Sequence, residues 1–93
     1  MGRDLNSVLD PAFLTLHRAL PDHVRQQARK NYRLWKDDPA HPSLRYKRIS
    51  NRTETYSVRV SKGWRAVGIK ADDTIIWFWI GSHADYDKLI PSL

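Results

Sequence analysis

Two prolines divide this chain more sharply than any other feature of its sequence. Before Pro39 and Pro42 the apolar residues recur at helical spacing, and after them the period drops to two. A chain with both periods has to pack helices against a sheet, because neither half can bury its own apolar face. Asp10-Pro11 reads as a cap followed by proline at the first helical position, where its missing N–H does no harm. Phe13, Leu16 and Leu20 follow at helical spacing beside Ala12 and Ala19, until Pro21 ends the helix. Asp22 is placed to cap a second helix running to about Asp37, and Pro39 forbids much continuation. Val24, Ala28, Tyr32 and Trp35 form one stripe of this helix, expected in the core. Arg25, Arg29, Arg33 and Lys36 form another, expected as a solvated face, with a binding role as the alternative.

Beyond Pro42, Leu44 to Ser50 reads as a strand of mixed alternation. Thr55 to Val60 alternates cleanly, with Tyr56, Val58 and Val60 on one side and Thr55, Ser57 and Arg59 on the other. Ser61-Lys62-Gly63 is a short hairpin loop with its glycine where such loops favour one. Trp64 to Lys70 forms the return strand, and Ala71-Asp72-Asp73 makes a second turn. Thr74 to Ile80 is apolar on both faces, which predicts the central, doubly covered strand. Gly81-Ser82 stops it, and Asp85 to Ile90 forms one or two helical turns before Pro91. Leu5 to Leu9 is a candidate edge strand. The expected fold is α+β: an N-terminal helical hairpin on a twisted antiparallel sheet of three to five strands, closed by a short C-terminal helix.

At 93 residues the chain suits a single domain spanning 1–93. The absence of cysteine rules out disulfides and thiolate metal sites, which fits a reducing compartment. No apolar run is long enough for a membrane span, and the Met1–Asn6 stretch has neither a signal-peptide core nor a myristoylation pattern. These features point to a cytoplasmic protein with no membrane partner. The charge is +6 overall but unevenly placed. Residues 41–70 carry eight basic side chains against Glu54 alone, a net of +7, while residues 71–93 are net acidic. Such a block suits a polyanion such as nucleic acid or an acidic peptide. Arg outnumbers Lys ten to six, and the guanidinium fork suits bidentate phosphate contacts.

Many enzyme classes drop out. There is no Gly-rich phosphate loop, no GxSxG elbow and no HExxH. His17, His23, His41 and His83 lack ligand-like spacing, so neither a metal nor a cofactor is expected. Asp72-Asp73 belongs to a turn, where Asp is favoured for backbone reasons. What remains is Arg59 and Arg65 flanking one hairpin, His83 directly after the apolar strand, and Tyr86 three residues later. Two guanidiniums, an imidazole and a phenol suffice for metal-free RNA cleavage. One group takes the 2′-hydroxyl proton, the arginines stabilise phosphoryl charge, and another group protonates the leaving 5′-oxygen. On spacing alone, a lone His after a strand is more often a turn or capping residue, and Tyr86 reads as well as an anchor for the last helix.

The run His41-Pro42-Ser43-Leu44-Arg45-Tyr46-Lys47-Arg48, then Tyr56–Val60, Gly63-Trp64-Arg65-Ala66 and Trp79–Asp87, resembles the RelE/ParE superfamily of toxins from toxin–antitoxin pairs. The likeness covers roughly residues 8–90. It implies a helical hairpin on an antiparallel sheet and silencing by a cognate antitoxin. For RelE-type members it implies metal-free cleavage of mRNA on the ribosome, and for ParE-type members inhibition of DNA gyrase. Carried over singly, Arg65 matches the phosphate-stabilising arginine of the Gly-aromatic-Arg motif, and Arg59 matches a basic strand residue of RelE-type cleavage. His83 stands where RelE has arginine but YafQ-like members have a catalytic histidine in a Gly-Thr/Ser-His turn. Tyr86 lies near RelE's C-terminal tyrosine, out of register with it, and Ser57 replaces a lysine. The implied catalytic set is His83, Arg65, Arg59 and Tyr86, with Lys47, Arg48, Arg45 and Lys62 as substrate-binding residues. Two functions follow, an mRNA endonuclease or a gyrase-binding protein built on the same basic sheet, with a degenerate relative that only binds its antitoxin as the third. The acidic antitoxin segment is expected over the sheet near Arg48, Arg59 and Arg65, or displacing the helix near Asp85.

Overall fold

In the computed structural model, which describes residues 6–93, Asp10 starts the first helix as a side-chain cap, accepting the Ala12 N–H at 2.8 Å. The elements run β1 (Asn6–Leu9), α1 (Pro11–Arg18), α2 (Asp22–Asp37), β2 (Lys47–Arg48), β3 (Thr55–Ser61), β4 (Trp64–Ala71), β5 (Thr74–Ser82) and α3 (His83–Leu89). One-turn 3-10 helices cover Pro42–Leu44 and Ile90–Ser92. The five strands form one sheet in the order β1-β5-β4-β3-β2, antiparallel except for the parallel β1–β5 pair. The expected α+β architecture is present.

Four details differ from the sequence reading, each for a local reason. Asp22 lies inside the first turn of α2 rather than capping it, because Pro21 takes the cap position. Its carboxylate instead accepts from Arg25 at 2.6 Å and Gln26 at 3.0 Å, and the Arg25 hydrogen bond holds its pKa below the ordinary carboxylate value. The strand expected over residues 44–50 shrinks to Lys47–Arg48. His41 Nδ1 accepts the Ser43 N–H to open a 3-10 turn, and Arg45 leaves it in the left-handed region at φ 47°. The central strand is β4, not β5, because β1 pairs alongside β5 with Asn6 opposite Thr74 and Leu9 opposite Trp77. Leu5, the first residue of the expected edge strand, lies outside the described residues. Finally, the β3–β4 loop is only Lys62-Gly63, since Ser61 still pairs with Trp64 and the extra residue is a bulge at Val60.

The sheet has two differently built faces. On one, the helical hairpin buries Phe13, Leu20, Val24, Ala28 and Trp35 against Val58, Val60, Ala66, Ile75, Trp77 and Ile80. Trp35 meets Trp77 edge-on, with ring centres 5.3 Å apart, which suits the aromatic quadrupole better than a face-to-face stack. Asn31 of α2 donates its amide to the carbonyls of Arg59 and Val60, satisfying backbone that the bulge removes from the ladder. The other face carries Thr55, Ser57 and Val67, buried under the short helix α3.

A second bulge sits in β5, where Gly68 pairs with Trp77 and Val67 with Trp79, leaving Phe78 as the extra residue. Two residues apart in an ordinary strand, the tryptophans would share a face. Here Trp77 enters the hairpin core, and Trp79 packs on α3 against Tyr86. Gly68 is required where the first indole passes, since a Cβ there would meet Trp77 at 2.8 Å and Ile75 at 2.9 Å. Gly63 has open space and no positive φ, so the turn uses none of glycine's freedom. Gly68→Ala should therefore lower unfolding stability by about 1–3 kcal/mol through overpacking. Gly63→Ala should stay within about 0.5 kcal/mol of wild type. Urea titrations of the two variants check both values.

Candidate active site

Directly opposed residues of neighbouring antiparallel strands point to the same face, so the pairing register defines the surface row by row. One row runs Arg59 on β3, Arg65 on β4 and Gly81 on β5. The next runs Lys47, Ser57, Val67 and Trp79. Like charges directly opposed destabilise a sheet, and this chain places two arginines so, one strand away from the start of α3. Gly81 is kept free of a side chain because the Trp79 indole covers it, at 2.7 Å from where a Cβ would stand.

Arg65 is held rather than loose. Its Nη1 donates to the carbonyls of Ser61 at 3.0 Å and Trp64 at 2.9 Å, which leaves Nε and Nη2 without a partner among the described residues. Partial burial, followed by the Arg59 charge, lowers its pKa from the ordinary guanidinium value, with Arg45 adding in the same direction. Tyr86 and Asp87 work against that shift, so both lie within electrostatic reach of Arg65. A guanidinium this strongly basic keeps its proton regardless, and the site presents two fixed positive charges.

His83 is the first residue of α3. Ser82 caps the helix by accepting the Asp85 N–H at 3.1 Å, and the His83 N–H is donated to the Gly63 carbonyl at 2.8 Å. That bond ties the helix start to the turn between Arg59 and Arg65. The imidazole is exposed. Its Nδ1 lies 3.2 Å from Asp87 Oδ2, and its ring stands edge-on to Tyr86 at 5.6 Å. Tyr86 is buried, only 6% exposed, and its hydroxyl donates to Ser57 Oγ at 3.0 Å beneath the helix. Its phenol is turned away from the exposed face that His83 occupies, and the bond fastens α3 to the sheet.

The remaining basic residues divide. Lys47 pairs with Ser57 and shares the face of the arginine row, whereas Arg48 pairs with Tyr56 and belongs to the opposite parity. The Arg48 guanidinium donates to the carbonyls of Ser50 and Thr53 and pairs with Glu54 at 3.1 Å, organising the β2–β3 loop. Arg45 lies on the exposed bend after the 3-10 turn. Lys62 and Arg59 meet in a polar cleft of about 320 Å³, lined also by Gln27, Asn31, Ser43 and Ser61. Among the described residues no three His, Asp or Glu side chains converge as metal ligands, and no helix is long and apolar enough to cross a membrane. Asn31, Ser57 and Asp87 had no assigned role in the sequence. Asp87 left a signal there in its i,i+4 spacing from His83, and Ser57 in standing where the resemblance implies a lysine.

If Tyr86 anchors α3, Tyr86→Phe leaves Ser57 Oγ buried without that partner. Unfolding stability should then fall by about 1–3 kcal/mol, with the loss read by thermal denaturation. Amide exchange over 83–89 should quicken while the hairpin core keeps its protection.

The architecture and this site can be set beside known proteins. Among solved structures, the RelE chain of the RelB–RelE antitoxin–toxin complex from Methanococcus jannaschii superposes with a TM-score of 0.70 at 18% identity, covering 87% of this chain and 96% of that one. YafQ from Escherichia coli superposes with a TM-score of 0.69 at 10% identity, covering 88% and 97%. A mutant of E. coli toxin RelE in its free state gives 0.66 at 18% identity, covering 97% and 93%. At these identities the likeness is one of fold. No curated protein matches the sequence. The sequence pattern of the ParE-like toxin domain, however, matches residues 22–88, which span α2, the whole β2–β5 meander and most of α3. By that match the chain belongs to the ParE-like toxin domains, within the RelE/ParE superfamily of toxins from toxin–antitoxin systems.

Proposed function

We propose that this toxin is a ribosome-dependent mRNA endonuclease that cleaves with side chains alone. The observation that carries the reading is the pairing of Arg59 with Arg65 across two strands, beside an exposed histidine tied to the same hairpin. Facing cations are unfavourable until an anion lies between them, and a scissile phosphodiester is such an anion. The 2′-oxygen attacks phosphorus and gives up its proton. The P–O5′ bond breaks, and the departing 5′-oxygen takes a proton, leaving a 2′,3′-cyclic phosphate and a 5′-hydroxyl. Arg65 and Arg59 stabilise the charge on the non-bridging oxygens. His83 Nε2 exchanges one of the two protons, imidazole being the side chain that both gives and accepts near neutrality. Tyr86 acts as the anchor of α3 in this scheme, and Lys47, Arg45 and Lys62 guide the strand across the sheet. RelE and YafQ among the structural neighbours support this reading.

The family pattern itself is named for ParE, which favours inhibition of DNA gyrase by binding as the second reading. The two separate cleanly. His83→Ala should reduce cleavage in a ribosome-programmed assay by about 10²–10⁴-fold with the fold intact by circular dichroism. Arg65→Lys should also be impaired, because a point charge cannot reproduce a fork against phosphate oxygens. A wild-type chain that leaves mRNA whole and blocks gyrase supercoiling would replace the nuclease with the second reading.

RelE chains from M. jannaschii, Pyrococcus horikoshii and Mycobacterium tuberculosis are each solved with an antitoxin, and a cognate antitoxin is proposed here too. The net +7 of residues 41–70 lies in the segment that forms β2, β3 and β4, so an acidic antitoxin segment fits over that face. Exposed ion pairs are worth only about 0–1 kcal/mol each and are screened by salt, so apolar anchors supply most of the affinity. Raising salt to about 0.5–1 M should slow association and leave the complex formed. Dissociation under those conditions, followed by light scattering, would show that charge alone holds it.

A further inference from the structure

The one contact that the catalytic scheme leaves unused is the carboxylate on His83. Asp87 Oδ2 lies 3.2 Å from Nδ1, and the two residues stand one helical turn apart on α3. An ionised carboxylate accepts and never donates, so the proton between them sits on Nδ1. The neutral ring then carries its lone pair on Nε2, for which the described residues provide no partner. The imidazole is also fixed by the Gly63 carbonyl holding its backbone N–H and by the Tyr86 ring against its edge. Asp87 reaches further than His83, since its charge is one of the two that support the Arg65 guanidinium. We infer that Asp87 is a positioning residue: it holds His83 in the Nδ1–H tautomer with Nε2 presented to the RNA. The inference rests on the endonuclease reading for its purpose, and on the 3.2 Å contact for its existence.

The start of α3 lies beside the arginine row, since Gly81, two residues before His83, pairs with Arg65 and Arg65 pairs with Arg59. The helix itself contributes Asp85, the buried Tyr86 phenol and Asp87. Only Asp87 among these bonds the ring directly. Removing Asp87 therefore takes away the one side chain among the described residues that fixes which ring nitrogen of His83 carries the proton. Asp87 is exposed on a solvated helix face, so its replacement leaves the core untouched.

The test combines two-bond 1H–15N spectra of the imidazoles with mRNA cleavage on programmed ribosomes across pH, for wild type, Asp87→Asn, Asp87→Ala and Asp87→Glu. Wild type should show His83 as the Nδ1–H tautomer at high pH, and Asp87→Ala should return it to the Nε2–H form that free imidazole side chains prefer. Asp87→Ala should lower kcat about two- to fivefold, the effect of one solvent-exposed charged hydrogen bond, with KM little changed. Asp87→Asn keeps an acceptor and should retain more of the rate than Asp87→Ala. Asp87→Glu should restore the rate in part. An Nε2–H tautomer in wild type, or unchanged kcat in Asp87→Ala while His83→Ala is dead, overturns the role of Asp87 and leaves the nuclease standing. A wild-type chain that keeps the Nδ1–H tautomer but cuts no mRNA overturns the nuclease reading, and the proposed role of the pair with it.

Discussion

The extra residue at Phe78 is the constraint on which the rest of this structure depends. A strand that ran from Thr74 to Ser82 without it would send Trp77 and Trp79 to one side and could not serve two layers. With the bulge, the first indole closes the hairpin core against Trp35, and the second becomes the bed on which Tyr86 rests. The same shift sets the parity of everything that follows. Gly81 falls into the arginine row, Ser82 pairs with Trp64, and His83 emerges beside the Gly63 carbonyl. Two glycines make the shift possible by withdrawing their side chains from under the indoles, Gly68 beneath Trp77 and Gly81 beneath Trp79. Packing in the core and placement of the candidate site are thus consequences of one irregularity.

On the site face, local electrostatics are set by what is absent as much as by what is present. Arg59 and Arg65 oppose one another with no carboxylate in their row, and the groups that support the Arg65 charge, Tyr86 and Asp87, come from α3. Where RelE-type relatives carry a lysine, this chain has a serine whose hydroxyl receives the Tyr86 proton. A lysine at Ser57 would put a charge into a site that is 2% exposed. The buried serine and the buried Tyr86 hydroxyl thus occupy one another, which in the proposed mechanism leaves proton transfer to His83.

Much of this was legible in the sequence, and the gaps have physical causes. The change of period at Pro39–Pro42 located the helices, the meander and their packing, because burial of an apolar face is a repeated signal. Strand order was less accessible. Thr74–Ile80 is apolar on both faces because α1 and α3 cover its two sides, a pattern that says nothing of which strand lies beside it, and β1 took the neighbouring edge. The 44–50 strand was lost to a single left-handed residue, Arg45, a conformation that arginine does not announce. In the site, Arg59 and Arg65 could be placed on one hairpin but not on one face, since a bulge at Val60 decides the register. Tyr86 could be read as reagent or anchor from spacing alone. The choice depends on a hydrogen bond to Ser57, 29 residues away in sequence.

The candidate site is assembled by a helix of seven residues, too short to be stable by itself. Three ties hold α3 in place: the Ser82 cap, the His83 N–H on the Gly63 carbonyl, and the Tyr86 hydroxyl on Ser57. Two of them are exposed to solvent, and only the third is buried. Each net hydrogen bond is worth about 1 kcal/mol, so the helix is fastened by an amount that a modest interface can exceed. An antitoxin segment inserting where Tyr86 packs on Trp79 would release His83 and Asp87 together and leave the arginine row intact. Inhibition by that route needs no contact with the reacting groups. Under the proposed function, the group to be switched off then sits on an element that can be moved at small cost.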